Sequence, residues 1–200
     1  MRIINWDQFI KTGLNPPASG SKEKKSSITV GVFDGVHLGH QALIKQVVSH
    51  NADYTPVVVT FRQNHKTKEM KNEETSDQKD ILNFQQKVKI FEKLGIKITI
   101  VIDFTEEFKK MPGIEFLKIL SERGNPGFFA VGRNFRCGFQ LDTNAAAIEK
   151  FFVSRDIPIE ILPEIMEGSL PVSSSRIRSA INNGDHTFAE IMLGRKWRNN

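Results

Sequence analysis

His37 and His40 stand three residues apart with Gly39 between them, inside the stretch 28–40, ITVGVFDGVHLGH. Residues at i and i+3 share one helix face, so both imidazoles can address one point in space. A helix beginning here would add unpaired backbone N–H groups and the positive end of its dipole. Imidazole donors around a helix N-terminus make a site for a phosphate chain. Such a pair also occurs as satisfied core or surface histidines, and the pair alone does not separate the two readings.

The flanking residues supply the elements that would hold this pair. Ile28, Thr29 and Val30 form a β-branched run, and Gly31 and Gly35 bracket Val32, Phe33 and Asp34. Ala42, Leu43, Val47 and Val48 then recur with helical spacing to about Ser49. The reading is strand, glycine-bearing turn, helix. Asp34 in that turn fits two roles equally: orienting a histidine or sitting close to a metal, or simply capping the turn.

The same alternation continues along the chain. After Pro56, the run Val57–Phe61 is apolar on both faces, as a central parallel strand covered by helices would be. A helix follows over 83–94, with Phe84, Val88 and Phe91 on one stripe. Further strands are expected at 97–104, 128–131 and 157–162, and helices at 114–120, 145–153 and 187–193. Residues 62–80 are polar without periodicity and read as a long exposed loop, and Gly13–Lys25 as another. Ile3, Ile4, Trp6 and Phe9 suit a short strand or helical turn. Strands alternating with helices predict an α/β fold with a parallel sheet and right-handed crossovers. Ligands then bind beyond the carboxyl ends of the strands. The 31–40 turn, Arg62–His65, the 132–138 loop and Ser173–Arg178 all follow strands at that edge.

Two of these segments carry chemistry of their own. Ser173–Arg178, SSSRIR, offers a hydroxyl at a helix N-cap with arginines in the first turn, an anion site again. Seen alone, the stretch is better explained as a plain serine cap with solvated arginines. In Ala130–Phe139, AVGRNFRCGF, the aromatic side chains suit core packing at least as well as ligand contact. Several other chemistries lack their motifs: GxxxxGK[ST], GxGxxG after a strand, HxExxH, CxxC and GxSxG do not occur.

Taken together, GVFDGVHLGHQ resembles the HxGH signature of the nucleotidyltransferase superfamily, and GVFDG makes it most similar to the FMN adenylyltransferase module of bacterial FAD synthetases. PVSSSRIR resembles the family's SSTxIR motif, with Ser175 in place of threonine. AVGRNFRCGF is similar to its VGxxFxFG loop, and INNGDHTFAEIMLGRKW echoes its terminal stretch. The resemblance runs from about Ile28 to Trp197. It implies a Rossmann-like parallel sheet flanked by helices, a single domain over 1–200, and adenylyl transfer from ATP to FMN with Mg²⁺, giving FAD and pyrophosphate. Carried onto this chain, His37, His40, Asn134 and Arg178 would be catalytic. Gly31, Phe33, Asp34, Gly35, Gly39, Ser173, Ser174, Ser175 and Arg176 would bind ATP. Phe61, Arg62, His65 and Phe135 would bind FMN. One segment departs: where the family has TFxPHP this chain reads TFRQNHK, which bears on flavin affinity or acceptor choice. Rival readings are a same-fold transferase for another phosphorylated acceptor and a non-catalytic flavin or nucleotide sensor. The family's riboflavin kinase module would begin where this chain stops, so kinase activity is expected to be absent.

Composition agrees with a globular protein that handles small anions. The 200 residues are 39% hydrophobic and 26% charged, with net charge +5. Basic residues are interleaved with acidic ones, with no basic stripe, so nucleic acid is not an expected partner. The single Cys137 excludes an internal disulfide and reads as a small buried apolar side chain. A charged N-terminus and no long apolar run predict neither signal peptide nor membrane span, and a cytoplasmic protein.

Overall fold

The structure is a computed structural model that describes residues 1–14, 24–62 and 80–197. Its elements in chain order begin with β1 (Arg2–Asn5), α1 (Trp6–Thr12), β2 (Ser26–Val30) and α2 (Leu38–Ser49). Then come β3 (Thr55–Arg62), α3 (Phe84–Lys93), β4 (Ile98–Asp103), α4 (Glu106–Lys109), α5 (Gly113–Gly124) and β5 (Pro126–Gly132). The chain continues through β6 (Arg136–Cys137), β7 (Thr143–Asn144), α6 (Ala145–Val153) and β8 (Ile159–Leu162). It closes with β9 (Met166–Glu167), β10 (Leu170–Pro171), α7 (Ser174–Asn182) and α8 (His186–Leu193).

Six strands form one parallel sheet in the order β1-β4-β3-β2-β5-β8. Side chains on successive strand residues point to opposite faces, and both faces are covered. Val57 and Val59 pack with Ile28, Val30 and Phe129 against Phe9, Leu117, Leu120, Ile148 and Phe152 of α1, α5 and α6. Val58, Phe128 and Ala130 point the other way, onto Leu43, Ile44, Val47 and Phe91 of α2 and α3. A third, smaller core of Val172, Ile177, Ala180, Ala189, Met192 and Leu193 joins α7 to α8. The chain is thus an α/β domain with a Rossmann-like sheet. Strand order reverses between β2 and β5, which opens a crevice at their carboxyl ends.

Two boundaries bear on the sequence expectation. The N-terminal residues, expected as a short strand or helical turn, form both: Arg2–Asn5 is a sixth strand paired to Ile98–Val101, and Trp6–Thr12 a helix. Only Ile4 in the strand is buried, so a four-residue edge strand leaves almost no alternation to read. The strand expected over 128–131 begins earlier. Asn125 ends the preceding helix in a left-handed turn (φ 43°), and Pro126 already opens β5. A Cβ on Gly127 would lie 2.6 Å from the Tyr54 ring, so its place in the strand is set by packing. The expected loop over 62–80 falls almost wholly outside the described residues.

Candidate active site

β2 leaves the sheet through a turn with unusual backbone. Phe33 (φ 53°), Gly35 (φ 76°) and Val36 (φ 41°) all lie in the left-handed region. For a β-branched valine this conformation costs on the order of 1–3 kcal/mol and persists only where surrounding contacts impose it. Here they do. Val32 O accepts from Thr60 Oγ1 (3.1 Å) and Lys87 Nζ (2.8 Å), and Asp34 O from Ser174 Oγ (2.9 Å). Gly35 O accepts from Arg195 Nη2, and Val36 O from Gln41 Nε2 and Arg195 Nη1, both at 2.9 Å. The Asp34 carboxylate accepts from Ile81 N (2.9 Å) and Arg178 Nη1 (2.5 Å). It therefore pairs with an arginine and caps a neighbouring segment, rather than orienting a histidine. Burial raises its pKa, and the Ile81 N–H and the nearby cations pull against that. At Gly31 a Cβ would stand 3.1 Å from the Phe33 ring, so a larger residue there would have to push that ring aside.

His37 is the N-cap of α2, and its Nδ1 faces the backbone N–H of His40 at 3.4 Å. The two rings stack, with centroids 3.6 Å apart and planes 20° from parallel. Burial pushes His37 down to about 4, with the Arg195 charge adding to it. Burial, then His37, then Lys87 hold His40 well below the ordinary histidine range. Both imidazoles are neutral at pH 7. With Nδ1 of His37 facing a donor, its proton resides on Nε2, which is left as a donor. His40 Nδ1 is buried without a hydrogen-bond partner among the described residues.

A cavity of about 310 Å³ runs from this turn to the exit of β5. Gly31, Phe33, His37, Gly39 and His40 form one wall, and Gly132, Arg133, Asn134 and Phe135 the other, with Glu164 and Val172 at its edge. Asn134 Nδ2 donates to Glu164 Oε1 at 2.8 Å. A larger cavity of about 590 Å³ shares Arg133, Asn134 and Phe135 and extends to Arg136 and the start of α6. These three residues stand between the two spaces.

The serine–arginine segment opens α7, with Ser173 as its N-cap. Ser174 and Arg178 reach Asp34, and Arg178 Nη2 lies 3.5 Å from Ser175 Oγ. Arg178 Nε is buried without a partner among the described residues. Arg176 differs from the expectation. Its guanidinium donates to Leu170 O (2.9 Å) and Pro171 O (2.7 Å) and lies over the Phe188 ring, tying α7 to β10 and α8. Phe61 and Arg62 sit at the same sheet edge but do not line the 310 Å³ cavity. Arg62 pairs with Asp103 through two bonds of 2.7 and 2.8 Å, and Phe61 packs with Phe104 and Phe108. The reason is topological: β3 lies on the far side of β2 from the point where strand order reverses. His65 lies outside the described residues. Burial pushes the Cys137 thiol up to about 12, as an inert packing residue requires.

Three residues that hold the turn had not been singled out: Gln41, Lys87 and Arg195. Lys87 had left a signal, since it interrupts the apolar stripe of α3 three residues after Phe84 and four before Phe91. Among the described residues no group of three or more His, Cys, Asp or Glu side chains is placed to hold a metal. No helix there is long and apolar enough to cross a membrane.

Comparison with known proteins meets this geometry. The family model of FAD synthetase matches residues 19–176. The bifunctional riboflavin kinase/FMN adenylyltransferase of Buchnera aphidicola subsp. Acyrthosiphon pisum is 25% identical over 173 residues, covering 85% of this chain and 54% of that protein. The putative protein of the same description from Geobacillus thermodenitrificans is 27% identical, over 84% of this chain and 89% of its own length. The FAD synthetase of Listeria monocytogenes is 24% identical, over 90% and 73%. The chain spans about half the length of the Buchnera relatives it matches. The crystal structure described as the macrolide-efflux protein from Streptococcus pneumoniae superposes with a TM-score of 0.80 at 23% identity, over 98% of this chain and 61% of that one, and shares the fold. The motif turn, the sheet that carries it and a family match over most of the sequence agree: the chain belongs to the FAD synthetase family.

Proposed function

We propose that this protein transfers AMP from ATP to the phosphate of FMN, giving FAD and pyrophosphate. The observation that carries the reading is the continuous cavity from the His37–His40 turn to Asn134 and Phe135, in a chain of this family. An oxygen of the FMN phosphate attacks the α-phosphorus of ATP, and the bond from that phosphorus to the departing pyrophosphate breaks. The nucleophile is already anionic, so the protein needs no covalent intermediate. Its work is alignment and charge stabilisation.

In this reading His37 Nε2–H and His40 donate to the phosphates as charge moves onto the leaving group. Gly31, Gly35 and Gly39 let backbone approach the triphosphate, beside Phe33. The N-terminus of α7, with Ser173, Ser174, Ser175 and Arg178, receives the β- and γ-phosphates. Asp34 positions Arg178 for this. Arg176 would act through its backbone position in α7, since its guanidinium is engaged elsewhere. Mg²⁺ would arrive with ATP and be held mainly by phosphate oxygens, because the Asp34 carboxylate is committed to Arg178 and Ile81. Asn134 and Phe135, shared by the two cavities, are where donor and acceptor would meet, with the flavin beyond them. ATP and FMN as small-molecule substrates, without nucleic acid or membrane, suit a cytoplasmic enzyme.

A transferase of the same fold for another phosphorylated acceptor is favoured by one observation: Phe61 and Arg62 are turned to other partners and leave the flavin fewer aromatic walls. The test is incubation of the purified protein with ATP, Mg²⁺ and FMN, with riboflavin in parallel, following FAD and pyrophosphate by chromatography. FAD from FMN alone is the expected result. Tight FMN binding without product would favour a sensor, and absence of both would favour another acceptor.

A further inference from the structure

Lys87 is a charged side chain in the interior, 7% exposed, on a helix stripe where leucine or methionine would pack. Its Nζ donates to the carbonyl of Val32 at 2.8 Å and contacts that of Phe61 at 3.5 Å. These two carbonyls correspond across neighbouring strands. The parallel register pairs Val30 with Val59, so two residues further on Val32 stands opposite Phe61. The ladder between the strands reaches Gly31, whose N–H donates to Val59 O at 3.1 Å. Past that point, among the described residues, the Thr60 hydroxyl and the Lys87 ammonium tie Val32 down. Burying an ammonium is costly, and its acceptors here are carbonyls, with Asp34 and Asp80 acting on it through space.

We propose that Lys87 is a positioning residue. By bridging Val32 and Phe61 it sets how β2 and β3 part where the histidine turn leaves the sheet, and it brings a positive charge to that turn. This rests on the adenylyl-transfer reading. The charged groups on the histidine turn are His37 and Asp34 within it, Lys87 from α3, Arg178 from α7 and Arg195 after α8. His37 and Lys87 are those whose charge bears on His40.

The experiment compares wild type, Lys87→Met and Lys87→Arg. FAD formation is normalised to folded protein by circular dichroism, and the imidazoles are titrated by NMR. Lys87→Met is expected to lower kcat about tenfold or more, as slight misplacement of reacting groups does, with the KM for ATP changed less than about threefold. His40 should titrate at higher pH in that variant, because a cation opposing its protonation is gone. Lys87→Arg should restore both. Should Lys87→Met not fold, Lys87→Gln, which removes the charge, carries the same readouts. A wild-type kcat with an unmoved His40 titration overturns the proposal, as does an arginine variant impaired as much as the methionine one. If wild type itself forms no FAD, the adenylyl-transfer reading falls. The NMR titration then decides the role of Lys87: an unmoved His40 overturns it, and an upward shift supports it.

Discussion

The two walls of the cavity are built on opposite principles. The wall from β2 is a strained turn in which the carbonyls of Val32, Asp34, Gly35 and Val36 each accept from a side chain elsewhere in the chain. Its donors come from β3, α2, α3, α7 and the residues after α8. The wall from β5 is exposed at Arg133 and Asn134, and the Asn134 side chain donates to Glu164, itself exposed. Groups that must meet a developing charge without rearranging are best held by many contacts at once, because preorganised dipoles need not reorient during reaction. A wall that receives a variable acceptor can be left adjustable. The contrast predicts that damage to the first wall affects both stability and turnover, and damage to the second affects acceptor use.

The largest expected effect is that of acid on the histidine wall. His37 has a folded value of about 4 against an ordinary 6.5. Its folded pKa is depressed, so its contribution is fully present above pH 6.5 and is lost as pH falls towards 4. Its loss amounts to on the order of 3 kcal/mol. His40 shifts in the same direction and adds to it. Urea midpoints measured from pH 7.5 to 4 should fall across this window, and His37→Gln should flatten the fall. An unchanged slope in that variant would remove the buried neutral imidazole from the account.

Next in size, His40→Ala should lower turnover about 10²-fold, the usual effect of losing one transition-state donor. Turnover equal to wild type would end its proposed role. Asp34→Asn keeps an acceptor for Ile81 N but leaves Arg178 without its carboxylate. Loss of about 2 kcal/mol is expected in urea denaturation, together with weaker ATP binding. The smallest change in stability should come from Asn134→Ala on the exposed wall, about 0.5 kcal/mol or less. It should act instead on the KM for FMN and on kcat. A stability loss as large as that of Asp34→Asn would show the two walls to be equally constrained.

How much of this was legible beforehand follows from distance along the chain. The unit from Ile28 to Ser49 could be read because its signals are local: a β-branched run, a glycine, Gly35, where the backbone turns left-handed, and helical spacing after His37. The cap formed by Ser173 and the helix over 145–153 were legible for the same reason. The placement of Phe61 and Arg62 was not, since both follow a strand at the correct edge, and only the strand order puts β2 between them and the cavity. Nor was the engagement of the Arg176 guanidinium, which depends on where β10 passes. Arg195 acts on Gly35 across 160 residues and Gln41 on Leu193 across 152, and no pattern of short period records such a contact.

The amino-acid sequence by itself determined the alternation of strands and helices, the glycine turn, the closeness of His37 and His40 at a helix start, and the family. Each follows from backbone preference or side-chain period within a few residues. Tertiary structure alone decided which groups hold that turn in its strained form, that His37 is buried, His40 half-buried and both neutral, and that Asn134 and Phe135 rather than Phe61 and Arg62 face them. Those outcomes depend on desolvation and on hydrogen bonds between residues far apart in the chain, and they exist only once the sheet order has brought them together.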